Sequence, residues 1–250
     1  MRPLQAVILA AGMGTRLQST GHRGPKGALI LHERPIITES INRLLLAGIE
    51  TITLVTGYQA DFYDKLAESM PASITRIHNP AYAESGSMYS LYLARESIHG
   101  AFLLLESDLI YEQRALSIML ENPAENLLLL SGETGAGDEV YVEADKDRRL
   151  LAMSKRRERL QTGIAGELVG ISKVSPALYE AMCAYAGDYF RENNSLHLDY
   201  ETDAMVAAGR TVPVQVITVS DLLWSEIDDA VHYRRAIEID RLIRARDAAN

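Results

Sequence analysis

The stretch "VILAAGMGTRLQSTGHRGPKGALI", Val7 to Ile30, decides how the rest of the chain is read. It opens on an unbroken apolar run of strand length, and the small residues Ala10, Ala11, Gly12 and Gly14 follow at once. A buried strand that runs into small residues lets backbone N–H groups approach a ligand at its carboxyl end. The first thirty-two positions also carry four basic residues, Arg2, Arg16, Arg23 and Lys26, and no acidic one, in a chain of formal net charge -9. A local group of cations in an acidic protein points to a small anion, for which Arg16 and Lys26 can neutralise phosphate oxygens.

Outward from this segment the apolar pattern alternates. Strands are expected over 4–9 and 51–55, on either side of an amphipathic helix over 36–47 closed by Gly48. Helices at 61–69, 87–98 and 113–122 then alternate with strands at 73–78, 101–106 and 126–130. That order predicts an α/β fold, a Rossmann-like, mainly parallel sheet with helices on both faces. From about 132 to 175 the pattern loosens into short strands at 139–144, 149–155 and 167–174, read as a small inserted mixed β region laid over one end of the first sheet. Helices at 176–186 and 199–208, strands at 212–218 and 223–228 and a long charged helix complete the chain. With no repeat or linker, residues 1–250 read as one domain.

Composition removes several function classes. The 250 residues are 47% hydrophobic and 24% charged, an ordinary globular balance. No run approaches the roughly 20 apolar residues of a membrane span, and no signal-peptide pattern opens the chain, so no membrane insertion and a cytoplasmic location are expected. A pI near 5.2 argues against nucleic acid as a partner. The single cysteine, Cys183, excludes an internal disulfide and reads as a small core residue on a helix. Histidines at 22, 32, 78, 99, 197 and 232 form no close ligand pair and are expected mostly on loops or the surface.

Two familiar phosphate loops fail on this sequence. A dinucleotide fingerprint needs a third glycine where Leu17 stands, and a P-loop needs Gly-Lys-Ser/Thr, whereas Lys26 is followed by Gly27. A plain tight turn explains neither the charge asymmetry nor the Pro25-Lys26 pair.

Leu9-Ala-Ala-Gly-x-Gly-Thr-Arg-Leu17 followed by Pro25-Lys26 resembles the signature of the nucleotidyltransferases that join a nucleoside monophosphate to a phosphorylated acceptor. "VTGYQAD" (55–61), "MYSLYLA" (88–94), "ESD" (106–108) and "EIDD" (226–229) fall where that family has comparable elements. The chain is most similar to small bacterial cytidylyltransferases acting on phosphocholine and on 2-aminoethylphosphonate. The resemblance implies the nucleotide-diphospho-sugar transferase type of fold. It also implies a nucleotide site at Leu9, Ala10, Ala11, Gly12, Gly14, Thr15, Arg16, Lys26 and Ser87. Asp108 and Asp228, each at a strand end, are the expected ligands of Mg²⁺.

The reaction itself asks for little covalent help, because the acceptor oxygen that attacks the α-phosphorus is already anionic. Positioning and charge neutralisation suffice, with Arg16, Lys26 and Lys155 as the catalytic cations. The acceptor candidates are acidic and aromatic: Tyr89, Tyr200, Glu201 and Glu226. A primary ammonium donates hydrogen bonds to a carboxylate such as Glu201, whereas a quaternary one asks for aromatic rings. The expected activity is transfer of CMP from CTP to a small zwitterionic acceptor, with 2-aminoethylphosphonate favoured. Phosphocholine, a sugar 1-phosphate acceptor, and a noncatalytic nucleotide-binding module remain the alternatives.

Overall fold

A computed structural model describes residues 5–248, so Arg2 and the first residue of the strand expected over 4–9 lie outside the described residues. The strands are β1 (Gln5–Ala10), β2 (Thr51–Thr56), β3 (Ser73–His78), β4 (Phe102–Glu106), β5 (Leu109–Tyr111), β6 (Leu127–Ser131), β7 (Tyr141–Ala144), β8 (Leu150–Ser154), β9 (Gly166–Val174), β10 (Gln215–Val219) and β11 (Trp224–Glu226). The helices are α1 (Ile36–Leu46), α2 (Ala60–Ser69), α3 (Ser87–Leu93), α4 (Arg114–Glu121), α5 (Pro176–Asn193), α6 (Val206–Gly209) and α7 (Ala230–Asp247).

The central sheet runs β10-β6-β9-β4-β1-β2-β3. β1 is parallel to both β2 and β4, β2 to β3, and β10 to β6. The apolar runs are continuous because both faces of this sheet are covered. Val7 and Leu9 of β1 join the core under α3 and α5, while Ala6, Ile8 and Ala10 join the core under α1, α2 and α4. A third cluster, with Leu17, Ile110, Ile227, Ala236 and Ile243, seats α7 on the end of the molecule where β5 and β11 pair. No helix among the described residues is long and apolar enough to cross a membrane.

One element departs from expectation. The strand read at 167–174 as part of a small separate sheet is β9, which lies antiparallel between β4 and β6 inside the central sheet. Burial on both faces is what the all-apolar half of "ELVGISKV" records, and every residue of β9 is buried. β7 pairs with the start of β9 and β8 pairs with β7, forming a flap at that end. Cys183, half-buried on α5, has its thiol pushed up to about 11 by burial, as suits an inert packing residue.

Candidate active site

Three fastenings bring distant segments to one edge of the sheet. First, β1 and β4 are parallel neighbours with Leu9 opposite Glu106, so the loops after both strands open at the same carboxyl end. In the first loop Gly14 has φ +57°, and a Cβ there would lie 2.9 Å from Cγ of Lys26. Glycine thus lets the loop close on the lysine stem while Arg16 turns into the opening.

Second, the short β5 that follows Asp108 pairs antiparallel with β11, placing Leu109 opposite Glu226. The Ile227 N–H donates to the Asp108 carbonyl at 3.2 Å, which ties the late Glu226 and Asp228 to the early Asp108. Third, Gly86 N–H donates to Leu196 O and Met88 N–H to Leu198 O, both at 2.9 Å. A Cβ on Gly86 would come 2.3 Å from the Leu198 oxygen, so only glycine allows this approach. The docked segment delivers Asp199 and Glu201. Ser87 Oγ accepts from Tyr200 N–H at 2.9 Å and donates to Glu201 Oε2 at 3.4 Å.

The result is a cavity of about 290 Å³ whose wall includes Leu9, Ala11, Gly12, Ser87, Arg16, Lys26 and Lys155. It also includes six carboxylates: Glu106, Asp108, Asp199, Glu201, Glu226 and Asp228. A neighbouring cavity of about 150 Å³ shares Arg16, Glu106, Lys155, Glu201, Glu226 and Asp228, and adds Asp138 and Gly170. Six carboxyl groups against three cations crowd the larger cavity with acids that cannot all be ionised at once. That is the opposite of what an anionic nucleotide alone would require, so the site is built for additional positive charge.

Lys26 Nζ lies between the two candidate metal ligands, 2.5 Å from Asp108 Oδ2 and in contact with Asp228 Oδ1. Burial by itself would lower the lysine, and the carboxylates of Asp108 and Asp228, with Glu226 behind them, more than reverse this and hold it above its ordinary value. Burial would likewise raise Asp228, and the adjacent Lys26 charge overcomes it and holds the carboxyl well below the usual range, with help from Arg16 at 2.8 Å. Glu106, pressed by burial and then by Asp108 and Glu201, is pushed up to about 8. Glu201, pressed by burial and by Asp199 and eased by Lys155 at 3.9 Å, is pushed up to about 7. Glu226 is raised by burial and by the charges of Asp108, Glu106 and Asp228.

The structure sorts the expected residues. Leu9, Ala11, Gly12, Arg16, Lys26, Ser87, Asp108, Lys155, Glu201, Glu226 and Asp228 meet at the cavity. Ala10, Gly14 and Thr15 do not line it: Ala10 is buried in β1, Gly14 backs Lys26, and Thr15 starts a short helical turn. The two tyrosines expected at the acceptor are not on its wall. Tyr89 packs edge-on against Phe190 at 5.4 Å, because its face of α3 meets α5. Tyr200 is 1% exposed, with its hydroxyl beside Glu106 but without a hydrogen bond of ordinary geometry, so it stands behind the wall.

Carboxyl oxygens of Glu106, Asp108 and Glu226 lie within 4.8 Å of one another. A second such group joins Asp228 to Asp138 and His232. His232 is the exception among histidines expected mostly on loops or the surface, for it is 4% exposed on the first turn of α7. Spacing between histidines could not reveal it, although the Asp228-to-His232 interval of four was readable. Glu106 was present in "ESD" but was passed over for its neighbour Asp108. Asp138 and Asp199 carried no local signal.

The sequence pattern of the MobA-like NTP transferase domain matches residues 6–196. The chain is 29% identical over 250 residues to CMP-5'-(3-aminopropyl)phosphonate synthase of Streptomyces rubellomurinus, covering 94% of this chain and 38% of that longer protein. It is 27% identical over 200 residues to 2-aminoethylphosphonate cytidylyltransferase of Lancefieldella rimae, covering 78% and 77% of the two chains. Over 160 residues it is 26% identical to choline-phosphate cytidylyltransferase of Streptococcus pneumoniae, covering 60% and 69%. In three dimensions it superposes on the inositol-1-phosphate CTP transferase from T. maritima with TM-score 0.79 at 19% identity, covering 98% and 97%.

Proposed function

This chain belongs to the MobA-like NTP transferase family, and we propose that within it the protein transfers CMP from CTP to a small acceptor bearing a phosphonate or phosphate at one end and a primary ammonium at the other. The 2-aminoethylphosphonate class fits best. The acceptor's anionic oxygen attacks the α-phosphorus, the bond to the β-phosphate oxygen breaks, and pyrophosphate leaves with the electron pair. No proton has to be removed from the nucleophile.

The observation that carries this reading is the acidic excess of the cavity. Burial and mutual repulsion hold protons on Glu106 and Glu226, and a divalent cation arriving with the triphosphate together with an ammonium on the acceptor would let these carboxyls ionise. Asp108 and Asp228 already share one cation, the Lys26 ammonium, and this donor set fits a hard divalent ion. When bound there, Mg²⁺ would neutralise charge on the α-phosphate and the entering oxygen. Lys26 and Arg16, freed from Asp228, are then placed to reach phosphate oxygens, and the small residues Ala11 and Gly12 admit the nucleotide to the backbone. Lys155 sits across the cavity, its ammonium 3.9 Å from Glu201 Oε1 and open to a phosphonate oxygen.

Glu201, Glu226 and Glu106 form the remaining wall, with pKa values raised first by burial and then by neighbouring carboxylates, the second of which an ammonium offsets. Tyr82 is the single aromatic lining residue among those described, and it sits by Ala11 on the nucleotide side. An aromatic cage for choline is thus missing from the described wall. A panel of CTP, UTP, dTTP, ATP and GTP crossed with 2-aminoethylphosphonate, phosphocholine, phosphoethanolamine and sugar phosphates, read by pyrophosphate release, tests this. The highest kcat/KM is expected for CTP with a primary-amine acceptor. A sugar phosphate as best acceptor, or no release with any pair, overturns it.

A further inference from the structure

Asp228 has a second set of neighbours besides Lys26 and Arg16. Asp138 lies in the loop after β6, and His232 lies one helical turn along from Asp228, with one ligand atom of each residue within 4.8 Å of the others. His232 Nε2 is 3.1 Å from the carbonyl oxygen of Ala136. That oxygen can only accept, so Nε2 carries the proton. The other ring nitrogen, Nδ1, is left facing Asp138 Oδ2 at 3.3 Å. Both atoms are buried, and neither has a hydrogen bond of acceptable geometry.

Asp138 in turn stands in hydrogen-bond contact with Asp228, which keeps Lys26 and Arg16 on its other flank. Three lone-pair donors, one imidazole nitrogen and two carboxylates, therefore converge on one point. One proton between Asp138 and Asp228 satisfies that pair, as their hydrogen-bond contact requires, but leaves Nδ1 bare. A divalent cation settles all three.

We propose that Asp138, Asp228 and His232 form a binding site for a first-row divalent cation of the Mn²⁺ to Zn²⁺ series, which shares the Asp228 carboxylate with the nucleotidyl-transfer site and adds to it an imidazole and Asp138. Mixed imidazole and carboxylate ligation selects that series over Mg²⁺, which takes oxygen ligands. The Nε2–H donated to Ala136 is the outer hydrogen bond that fixes a ligating imidazole. The segments are held from behind as well. Glu167 accepts from Thr134 N–H at 2.7 Å and from its hydroxyl at 2.9 Å, anchoring the 132–138 loop. Asp229 caps α7 by accepting from Val231 N–H and His232 N–H at 2.7 and 3.0 Å. The ion would clamp this loop to α7 and hold the Asp228 carboxylate in the position where Lys26 and Arg16 meet it. The site shares Asp228 with the transfer reading, but it is argued from Asp138 and His232, which that reading does not use.

The test titrates the full chain, free of nucleotide, with Mn²⁺ and follows it by electron paramagnetic resonance with spin-echo detection of coupled ¹⁴N. One nitrogen-coupled ion per chain is expected. His232→Asn should abolish the nitrogen coupling, and both His232→Asn and Asp138→Asn should weaken that ion at least tenfold. Asp108→Asn should leave it in place. If His232→Asn fails to fold by thermal unfolding, Asp138→Asn carries the affinity comparison. Absence of bound Mn²⁺ at millimolar concentration, Mn²⁺ held by oxygen alone in the wild type, or unchanged affinity in the folded variants each overturns the proposal. A chain that shows the nitrogen-coupled ion but releases no pyrophosphate counts against the transfer reading and not against this site.

Discussion

The wall proposed for the nucleotide draws mainly on one short segment, Leu9 to Lys26, whereas the wall proposed for the acceptor is assembled from Glu106, Lys155, the Asp199–Glu201 turn and Glu226. The first needs only a strand, a glycine at positive φ and a lysine twelve residues later. The second needs β5 paired with β11 and Gly86 pressed onto Leu198 before its carboxylates meet at all. A contiguous loop writes its chemistry into local spacing, while a composite wall shows its chemistry only as excess charge in the folded chain. The two walls meet at Asp108 and Asp228, where Lys26 bridges from one to the other.

The largest expected effect lies at that junction. Asp108→Asn and Asp228→Asn should each cost roughly a thousandfold or more in kcat, and the double variant should lose little beyond either one, because groups acting as a unit are not additive. Multiplicative losses in pyrophosphate release would show that the two walls work separately.

Lys26→Ala comes next. Loss of a charged contact to the transition state costs roughly a hundredfold. The variant should also gain more thermal stabilisation from Mg²⁺ than the wild type does, since the ammonium no longer competes for the same carboxylates. An unchanged Mg²⁺ response would show that Lys26 does not hold the ion's place.

Glu201→Gln separates the walls. It should lower kcat/KM for 2-aminoethylphosphonate by about 2 kcal/mol, or ~30-fold, the low end for a broken charge pair because Lys155 stands nearby. The KM for CTP should hardly move, and the advantage over phosphocholine should narrow. Equal damage to both KM values would merge the two walls into one.

The smallest effect is in pH dependence. Glu201 is pushed up to about 7, so its charge, and with it ammonium capture, grows as pH rises through 7. The kcat/KM for the amine acceptor should carry an ascending limb there that Glu201→Gln removes. For stability the sign is opposite. A carboxyl whose folded value is raised binds more protons folded than unfolded, so stability falls between about 4.5 and 7 as pH rises. A thermal midpoint lower by a few degrees at pH 7.5 than at pH 5, with the slope reduced in Glu201→Gln, would show both.

By itself the sequence determined the alternation of strands and helices, the strand-to-loop nucleotide motif and the locations of Arg16, Lys26, Asp108 and Asp228. The alternation and the loop rest on interactions within a few residues, apolar period and turn chemistry, whereas Asp108 and Asp228 are marked by the resemblance to nucleotidyltransferases, since a charge beside a strand end reads locally as a helix cap. It misplaced β9 because an apolar run of strand length reads alike in a small flap and in a central sheet, and only pairing with β4 and β6 tells them apart. It put Tyr89 and Tyr200 at the acceptor because ring chemistry is visible in a sequence, whereas the helix face that turns toward Phe190 is not. Glu106, Asp138, Asp199 and the buried His232 acquired meaning only in the fold. Their roles come from carboxylates brought close enough to repel and from a ring nitrogen left without a proton to share. Those are distances between residues as many as 120 positions apart, from Glu106 to Glu226, and tertiary structure alone decides them.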